Sequence, residues 1–148
     1  MAKQSKRSDR GLKFMNWSHK AILRLSGGRV LSTAFGMPTL ELHTIGRKSG
    51  QRRSTMLTSP VYDEHRIVIV ASKGGDDRNP LWYGNLTAEP DVEITMKGQT
   101  RKMRARTATE AEKAVLWPQI VASYKGYGGY QQKTDRQIPV VICEPRPA

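Results

Sequence analysis

Eight residues, Gly46-Arg47-Lys48-Ser49-Gly50-Gln51-Arg52-Arg53, constrain the chain more than any other stretch. Four cations fall within seven positions, and Gly46 and Gly50 bracket the first two. An apolar-rich stretch, residues 39–45, leads in, and a second strand-forming stretch, residues 54–62, leads out. The turn therefore joins two strands at the mouth of a β-structure. Glycine lets a backbone turn sharply and approach a ligand closely. Arginine offers a planar fork of donors matched to phosphate and carboxylate. The alternatives are a solvated corner and an anion clamp. The turn lacks the spacing of a P-loop, and the chain has neither Gly-x-Ser-x-Gly nor a Gly-x-Gly-x-x-Gly fingerprint between strand and helix.

Charge sharpens the choice. The 148 residues carry 25 Lys and Arg against 13 Asp and Glu, a formal net charge of +12. Such an excess points to an anionic partner: nucleic acid, an anionic membrane surface or a multiply charged small molecule. The length and a hydrophobic content of 37% suit one domain with one core. One cysteine, Cys143, excludes an internal disulfide framework and fits a reducing cytoplasm. Lying in a late apolar strand, it reads as core. His19, His43 and His65 are far apart with no companion acids or thiols at ligand spacing, so no metal site is expected. No apolar run approaches the roughly 20 residues of a membrane span, and no signal peptide is expected.

Residues 1–30 read as a basic lead, disordered at first and then an amphipathic helix over residues 12–25, stopped by Gly27-Gly28. That helix either docks on the barrel or lies on an anionic membrane surface. Residues 31–148 form the single remaining domain. Strands are expected over residues 39–45, 54–62 and 66–71, with a turn at Tyr62-Asp63-Glu64-His65. The polar loop after them leads to Asn79-Pro80, expected as N-cap and first helical residue of a short helix whose Leu81, Trp82 and Leu86 face inward. Asp91–Met96 and Thr100–Thr107 form a hairpin turned by Lys97-Gly98, with Lys102, Arg104 and Arg106 on one face that reads first as solvated surface. Thr109-Glu110-Ala111-Glu112 is a capping box. It opens a helix that buries Ala114, Val115, Trp117, Ile120 and Val121 and is kinked or restarted at Pro118. Tyr124, Tyr127 and Tyr130 follow, interleaved with glycines; they either cover an end of the barrel or stack on a ring and supply a proton. A last strand spans residues 137–143, with Pro139 marking it as an edge or a bulge. The sum is mainly β, α+β: six or seven mostly antiparallel strands, favouring closure into a barrel, and about three helices. Ser72 and Lys73 directly follow a buried strand, where their backbone can reach a planar ligand, and the helix at Asn79-Pro80 can turn its dipole to an anion.

Four blocks, taken in order, resemble one family: Thr44–Gln51, Ala71–Gly75, Asn79–Leu86, and Tyr130-Gln131 through Thr134-Asp135-Arg136 to Val140. The family is that of the deazaflavin (F420)-dependent nitroreductases, split β-barrel oxidoreductases of actinobacteria, and the resemblance runs from about residue 37 to the end. It implies that Arg47, Lys48 and Ser49, with Arg53, hold the phosphate and acidic tail of coenzyme F420. It implies that Ser54, Thr55, Met56, Leu57 and Thr58 line the same groove. Val70, Ala71, Ser72 and Lys73 would lie along the ring, and Leu81, Trp82, Tyr83, Gly84 and Asn85 would flank ring and phosphate. Tyr127, Tyr130 and Ser72 would serve the chemistry, Tyr127 also bordering the ring. Two departures stand out: Arg52 where the family commonly has proline, and Thr58 where the nitro-activating member has an aromatic residue. Reduced deazaflavin donates a hydride, so no covalent catalyst, triad or metal is required.

The resulting expectation is a cytoplasmic monomer, or one held peripherally at the inner face of the cell membrane through residues 12–25. It reduces an activated acceptor (quinone, enone or nitro compound), with a lipophilic quinone giving that helix a purpose. FMN is a weaker candidate for the same barrel, and no nucleic acid partner is expected. A non-catalytic F420 carrier and a basic barrel that stacks tyrosines on bases are the rival readings.

Overall fold

The computed structural model describes residues 33–147. The expected helix at residues 12–25 lies outside them. The described chain forms eight strands, β1 (Thr33–Ala34), β2 (Met37–Ile45), β3 (Arg52–Thr58), β4 (Val61–Tyr62), β5 (Ile67–Val70), β6 (Asp91–Met96), β7 (Gln99–Thr107) and β8 (Val140–Pro145). Three α-helices join them: α1 (Leu81–Ala88), α2 (Glu110–Ser123) and α3 (Gly126–Gln132). Every pairing is antiparallel. The order runs β3-β2-β6-β7-β8-β5-β4, with β1 on the first residues of β2. Among the described residues β3 pairs with β2 alone, so the sheet curls without closing. This is a split β-barrel.

Local chemistry explains the turns. Lys97-Gly98 joins β6 to β7 with both residues at positive φ, 53° and 78°, the mirror-image turn whose twist suits a two-residue hairpin. Phe35-Gly36 does the same between β1 and β2, at 54° and 77°. The expected strand over residues 54–62 breaks at Ser59-Pro60. Buried Ser59 bonds through its hydroxyl to the carbonyls of Val61 and Val68, at 2.9 and 2.7 Å, which fixes the corner. Asp63 accepts from the backbone N–H groups of His65 and Arg66 and so closes the β4–β5 turn.

The curled sheet has a core on each face. Inside, Leu40, Leu42, Ile69, Ile94, Met103 and Val141 meet Trp82 and Leu86 of α1, which plugs one end. Outside, Val68, Val70, Val140 and Ile142 are covered by Leu116 and Ile120 of α2 and by Tyr127 of α3. Cys143 is fully buried in the inner core, and burial pushes its thiol up to about 12, so it is packing.

Several expectations are corrected. Pro80 is the N-cap of α1, and Asn79 caps nothing; its side-chain oxygen accepts from Arg136 at 2.9 Å instead. Leu81 points to solvent, at 79% exposure, because Trp82 and Leu86, four apart, already define the inward stripe. In α2 the buried pair is Leu116 and Ile120, while Ala114 and Val115 are exposed and Trp117 and Val121 half-buried. The helix continues through Pro118 without restarting. Strand β8 is an interior strand between β7 and β5, since Pro139 precedes it and contributes only its carbonyl, to Ala71 N–H at 2.9 Å. Helix α3 is an addition: its glycines argue against a helix, and tyrosine packing overrides them.

The basic face of the second hairpin is partly neutralised. Arg104 meets Asp91 at 3.0 Å, and Arg106 grips both oxygens of Glu112 at 2.8 and 2.9 Å while donating to Glu144. Glu112 also completes the capping box with Thr109. The Arg106 guanidinium, aided by the Thr109 N–H, holds its carboxyl at about 2, below an ordinary 4.5. A depressed carboxylate stabilises the fold above its unfolded value and loses that contribution as pH falls through the folded one. Thermal unfolding followed against pH should therefore show Glu112→Gln less stable than the parent at pH 7, with the difference disappearing between about 4.5 and about 2.

Candidate functional site

The basic turn is built by its own backbone. Gly46 N–H donates to Gln51 O and Gly50 N–H to Gly46 O, both at 2.8 Å, and Ser49 Oγ accepts from Gln51 N–H at 3.2 Å. Gly50 sits at φ 70°. At Gly46 a Cβ would collide with Ser49 Oγ, so a side chain there would displace the hydroxyl that holds the turn.

Asn85 ties this turn to α1. Its oxygen accepts from Arg47 N–H at 3.1 Å and its amide nitrogen donates to Thr44 Oγ1 at 3.2 Å. The Arg47 side chain lies along Gly84, within 3.5 Å of where a Cβ would stand. Arg53 shares the inward face of the β2–β3 pair with Thr44, whose register partner it is. Arg47, Lys48, Arg53, Gly84 and Asn85 thus converge at one end of the barrel. Arg52 turns the other way and meets Glu93 at 3.2 Å, so the extra charge in place of a proline is taken up by an acid.

The described cations differ in their partners. Arg52, Arg66, Arg78, Arg104, Arg106 and Arg146 each meet a carboxylate. Arg47, Lys48 and Arg53 have no ion pair among the described residues, and all three are exposed. Three such cations beside a helix and a glycine turn offer the donors that an anion cradle requires.

The tyrosines gather at the far end of β3. Tyr124, Tyr127 and Tyr130 meet edge to face, with ring centroids 5.6 to 6.4 Å apart, and Phe35 stacks on Tyr124 at 5.0 Å. The Tyr127 hydroxyl is 3.1 Å from Thr58 Oγ1. Burial raises the Tyr127 phenol, opposed by the Thr58 bond. Tyr130 is pushed up to about 12, by burial first and then by a shared hydrogen bond with Tyr124. Both phenols stay protonated at neutral pH and so keep a proton to give.

Between the two ends runs the free edge of β3, seven residues or roughly 20 Å long. Facing it, beyond the split, is the segment leaving β5. Ser72 is buried, Lys73–Gly75 makes a 3-10 turn, and Gly75 (φ 87°) packs so closely on α3 that a Cβ would lie 2.9 Å from Tyr130 O.

Not every candidate side chain faces this groove. Trp82 is buried in the inner core, Val70 in the outer core, and Ala71 and Met56 are also buried. Ser54 Oγ bonds His43 Nδ1 at 2.8 Å, and the Tyr83 hydroxyl is 2.8 Å from Thr107 Oγ1. At these positions backbone, rather than side chain, is what the groove can offer. Thr55 and Leu57 are half-buried on the inward face. An open cleft of about 500 Å³ is lined by His43, Thr44, Ile45, Arg52, Asp91, Glu93 and Arg146 together with Gly46, Arg47 and Gly50 of the turn, and it includes neither Ser72 nor the tyrosines. Its arginines Arg52 and Arg146 are paired with Glu93 and Asp91.

The family model for F420H(2)-dependent quinone reductases matches residues 16–145. The chain belongs to that family. Its members are named for reduced F420 as hydride donor, and the uncompensated cations, the groove and the protonated phenols described above fit a flat ring on a polyanionic tether. Among curated relatives, an F420H(2)-dependent quinone reductase of Mycobacterium tuberculosis is 43% identical over 133 residues, covering 86% of this chain and 88% of its own. A solved F420-H2-dependent reductase is 38% identical, with a TM-score of 0.66 over 72% of this chain and 94% of that one. A second structure, described as a domain-swapped dimer, is 34% identical, with a TM-score of 0.68 over 86% and 97%.

Family membership leaves open what each residue contributes here, and Asn85 is the most direct test of how the cradle is held. Asn85→Ala removes its bonds to Arg47 N–H and Thr44 and should cost about 1–2 kcal/mol, read from the urea unfolding midpoint at unchanged m-value.

Proposed function

We propose that this chain transfers a hydride from reduced F420 to a quinone. The proposal is supported most directly by one observation: Arg47, Lys48 and Arg53 are left without acids at the end of a groove whose other end holds three clustered phenols. A cofactor with an acidic tail and a flat ring has the matching polarity along its length.

In this reading Arg47, Lys48, Ser49 and Arg53 hold the phosphate and tail, and Gly84 and Asn85 shape the cradle. The Val70–Lys73 backbone lies along the ring, and Tyr127 and Tyr130 face the acceptor. The cofactor supplies the hydride when bound. The protein's part is to place ring and quinone in contact and to furnish the proton that the reduced quinone oxygen takes up. Tyr127 is the first candidate and Tyr130 the second. If Thr58 donates in the pair, Tyr127 keeps its own O–H for the acceptor.

Two experiments test the reading. Fluorescence titration should show Arg47→Ala/Lys48→Ala weakening F420 by about tenfold to a hundredfold, with a much smaller effect on a deazaflavin lacking phosphate and tail. Equal affinity in parent and double variant would remove the cradle, and the site with it. Tyr127→Phe should lower kcat about a hundredfold while F420 affinity stays within about twofold. Turnover at the parental rate would take Tyr127 out of the chemistry.

A further inference from the structure

Arg136 makes four side-chain hydrogen bonds, and three of them go to main-chain carbonyls. Its Nε donates to Asp76 O at 2.9 Å, and its Nη2 to Ser72 O at 2.9 Å and Ala71 O at 3.2 Å. Its Nη1 donates to Asn79 Oδ1 at 2.9 Å. Every partner lies 57 to 65 residues away, in the segment that crosses from β5 to α1. Arg136 is itself braced. Gln131 Nε2 donates to Arg136 O at 2.8 Å, Gln131 Oε1 accepts from Ile138 N–H at 3.0 Å, and Arg136 N–H reaches Thr134 Oγ1 at 3.3 Å. Burial disfavours the charged form, and nearby Asp76 and Asp77 oppose that effect.

Turning a carbonyl fixes the other half of its peptide. The described chain has no cis bonds, so C=O and N–H of one unit point in opposite directions. Ala71 aims its N–H at Pro139 O and its C=O at Arg136, both on the β8 side. The Ser72 N–H is therefore directed to the opposite side, where β5 faces the split and the free edge of β3. A donor held there can address a carbonyl oxygen on the rim of a flat heterocycle.

We propose that Arg136 is a positioning residue for hydride transfer: by drawing the carbonyls of Ala71, Ser72 and Asp76 toward the α3–β8 connection, it aims the Ser72 N–H at the deazaflavin ring and fixes the ring's distance from the tyrosines. This rests on the placement of the ring along Val70–Lys73 given above. A guanidinium is needed because four acceptors lie around one plane; a lysine ammonium keeps the charge and cannot span them.

The test compares Arg136→Lys and Arg136→Ala with the parent, using F420 fluorescence titration and steady-state reduction of a short-chain naphthoquinone. Arg136→Lys should lower kcat about tenfold with the quinone KM unchanged, because the ring is bound but displaced. It should also abolish the shift of the Ser72 amide NMR resonance that F420 causes in the parent. Arg136→Ala should lose more, and methylguanidinium in the buffer should restore part of its kcat. Parental kcat and an intact Ser72 shift in Arg136→Lys would overturn the proposal. So would a loss in Arg136→Ala that tracks a lowered Tm and is not rescued, which would leave Arg136 a structural brace. The Arg47→Ala/Lys48→Ala variant, run alongside, separates the two claims. If it weakens F420 and the Arg136 variants behave as the parent, only the positioning role fails; if it too leaves F420 binding unchanged, the site reading fails.

Discussion

Between β3 and β5 the sheet is left unpaired, and much of the molecule is arranged around that gap. Backbone N–H and C=O groups that leave a ladder must find other partners, water or a ligand. On the far side of the gap, beyond the short cover of β4, the chain leaving β5 turns its carbonyls back to Arg136. On the near side, β3 has no second strand among the described residues. At the corner where β3 gives way to β4, the buried Ser59 hydroxyl serves the carbonyls of Val61 and Val68, and its own N–H reaches Pro38 O. The split is thus held open by specific bonds at its corner and along one wall. A closed barrel would have joined these two edges and left nothing for a flat molecule to lie against.

Charge follows the same division. Like charges repel one another when spread evenly, and the described residues do not spread theirs evenly. Acids are placed against the arginines of the sheet: Glu93 on Arg52, Asp91 on Arg104 and Arg146, Glu112 and Glu144 on Arg106. Arg47, Lys48 and Arg53 receive none. Exposed ion pairs contribute little to stability, so the significance of this pattern lies in where it leaves positive potential. Part of that potential lies at the barrel end plugged by α1, where Asn85 also fixes the turn's backbone.

Much of this was legible in the sequence, for identifiable reasons. The β6–β7 hairpin announces itself by alternation around Lys97-Gly98, and the α2 start by Thr109 and Glu112. The basic turn shows by composition alone. An unbroken β-branched run also marked Ile67–Val70 as a buried strand. The failures share another cause. Helix α3 contains three glycines and is held by tyrosine contacts with α2 and β5, which no local propensity reports. Pro139 read as an edge signal, yet it stands one residue before an interior strand and needs no N–H there. Leu81 looked inward because it is apolar, and its exposure follows from the Trp82–Leu86 stripe. Within the site, the motif blocks marked which segments matter and not how they touch. Trp82 and Met56 were read as groove residues and are core. Arg136 stood in a quoted block without a role, because backbone carbonyls are its main acceptors and they leave no trace in side-chain identity.

The position of the tyrosines adds a constraint that neither end of the groove imposes alone. Tyr130 belongs to α3, and its carbonyl presses on Gly75 in the segment that would carry the ring. Gln131, the next residue, braces the connection that holds Arg136. Helix α3 and the segment leaving β5 are therefore joined by a glycine with no room for a side chain and by one guanidinium. A hydride moves only between atoms in near contact, and an error of about 1 Å can cost a hundredfold in rate. Groups anchored separately would have to meet that tolerance by chance, whereas here the loop and the helix that bears the phenols share their anchors.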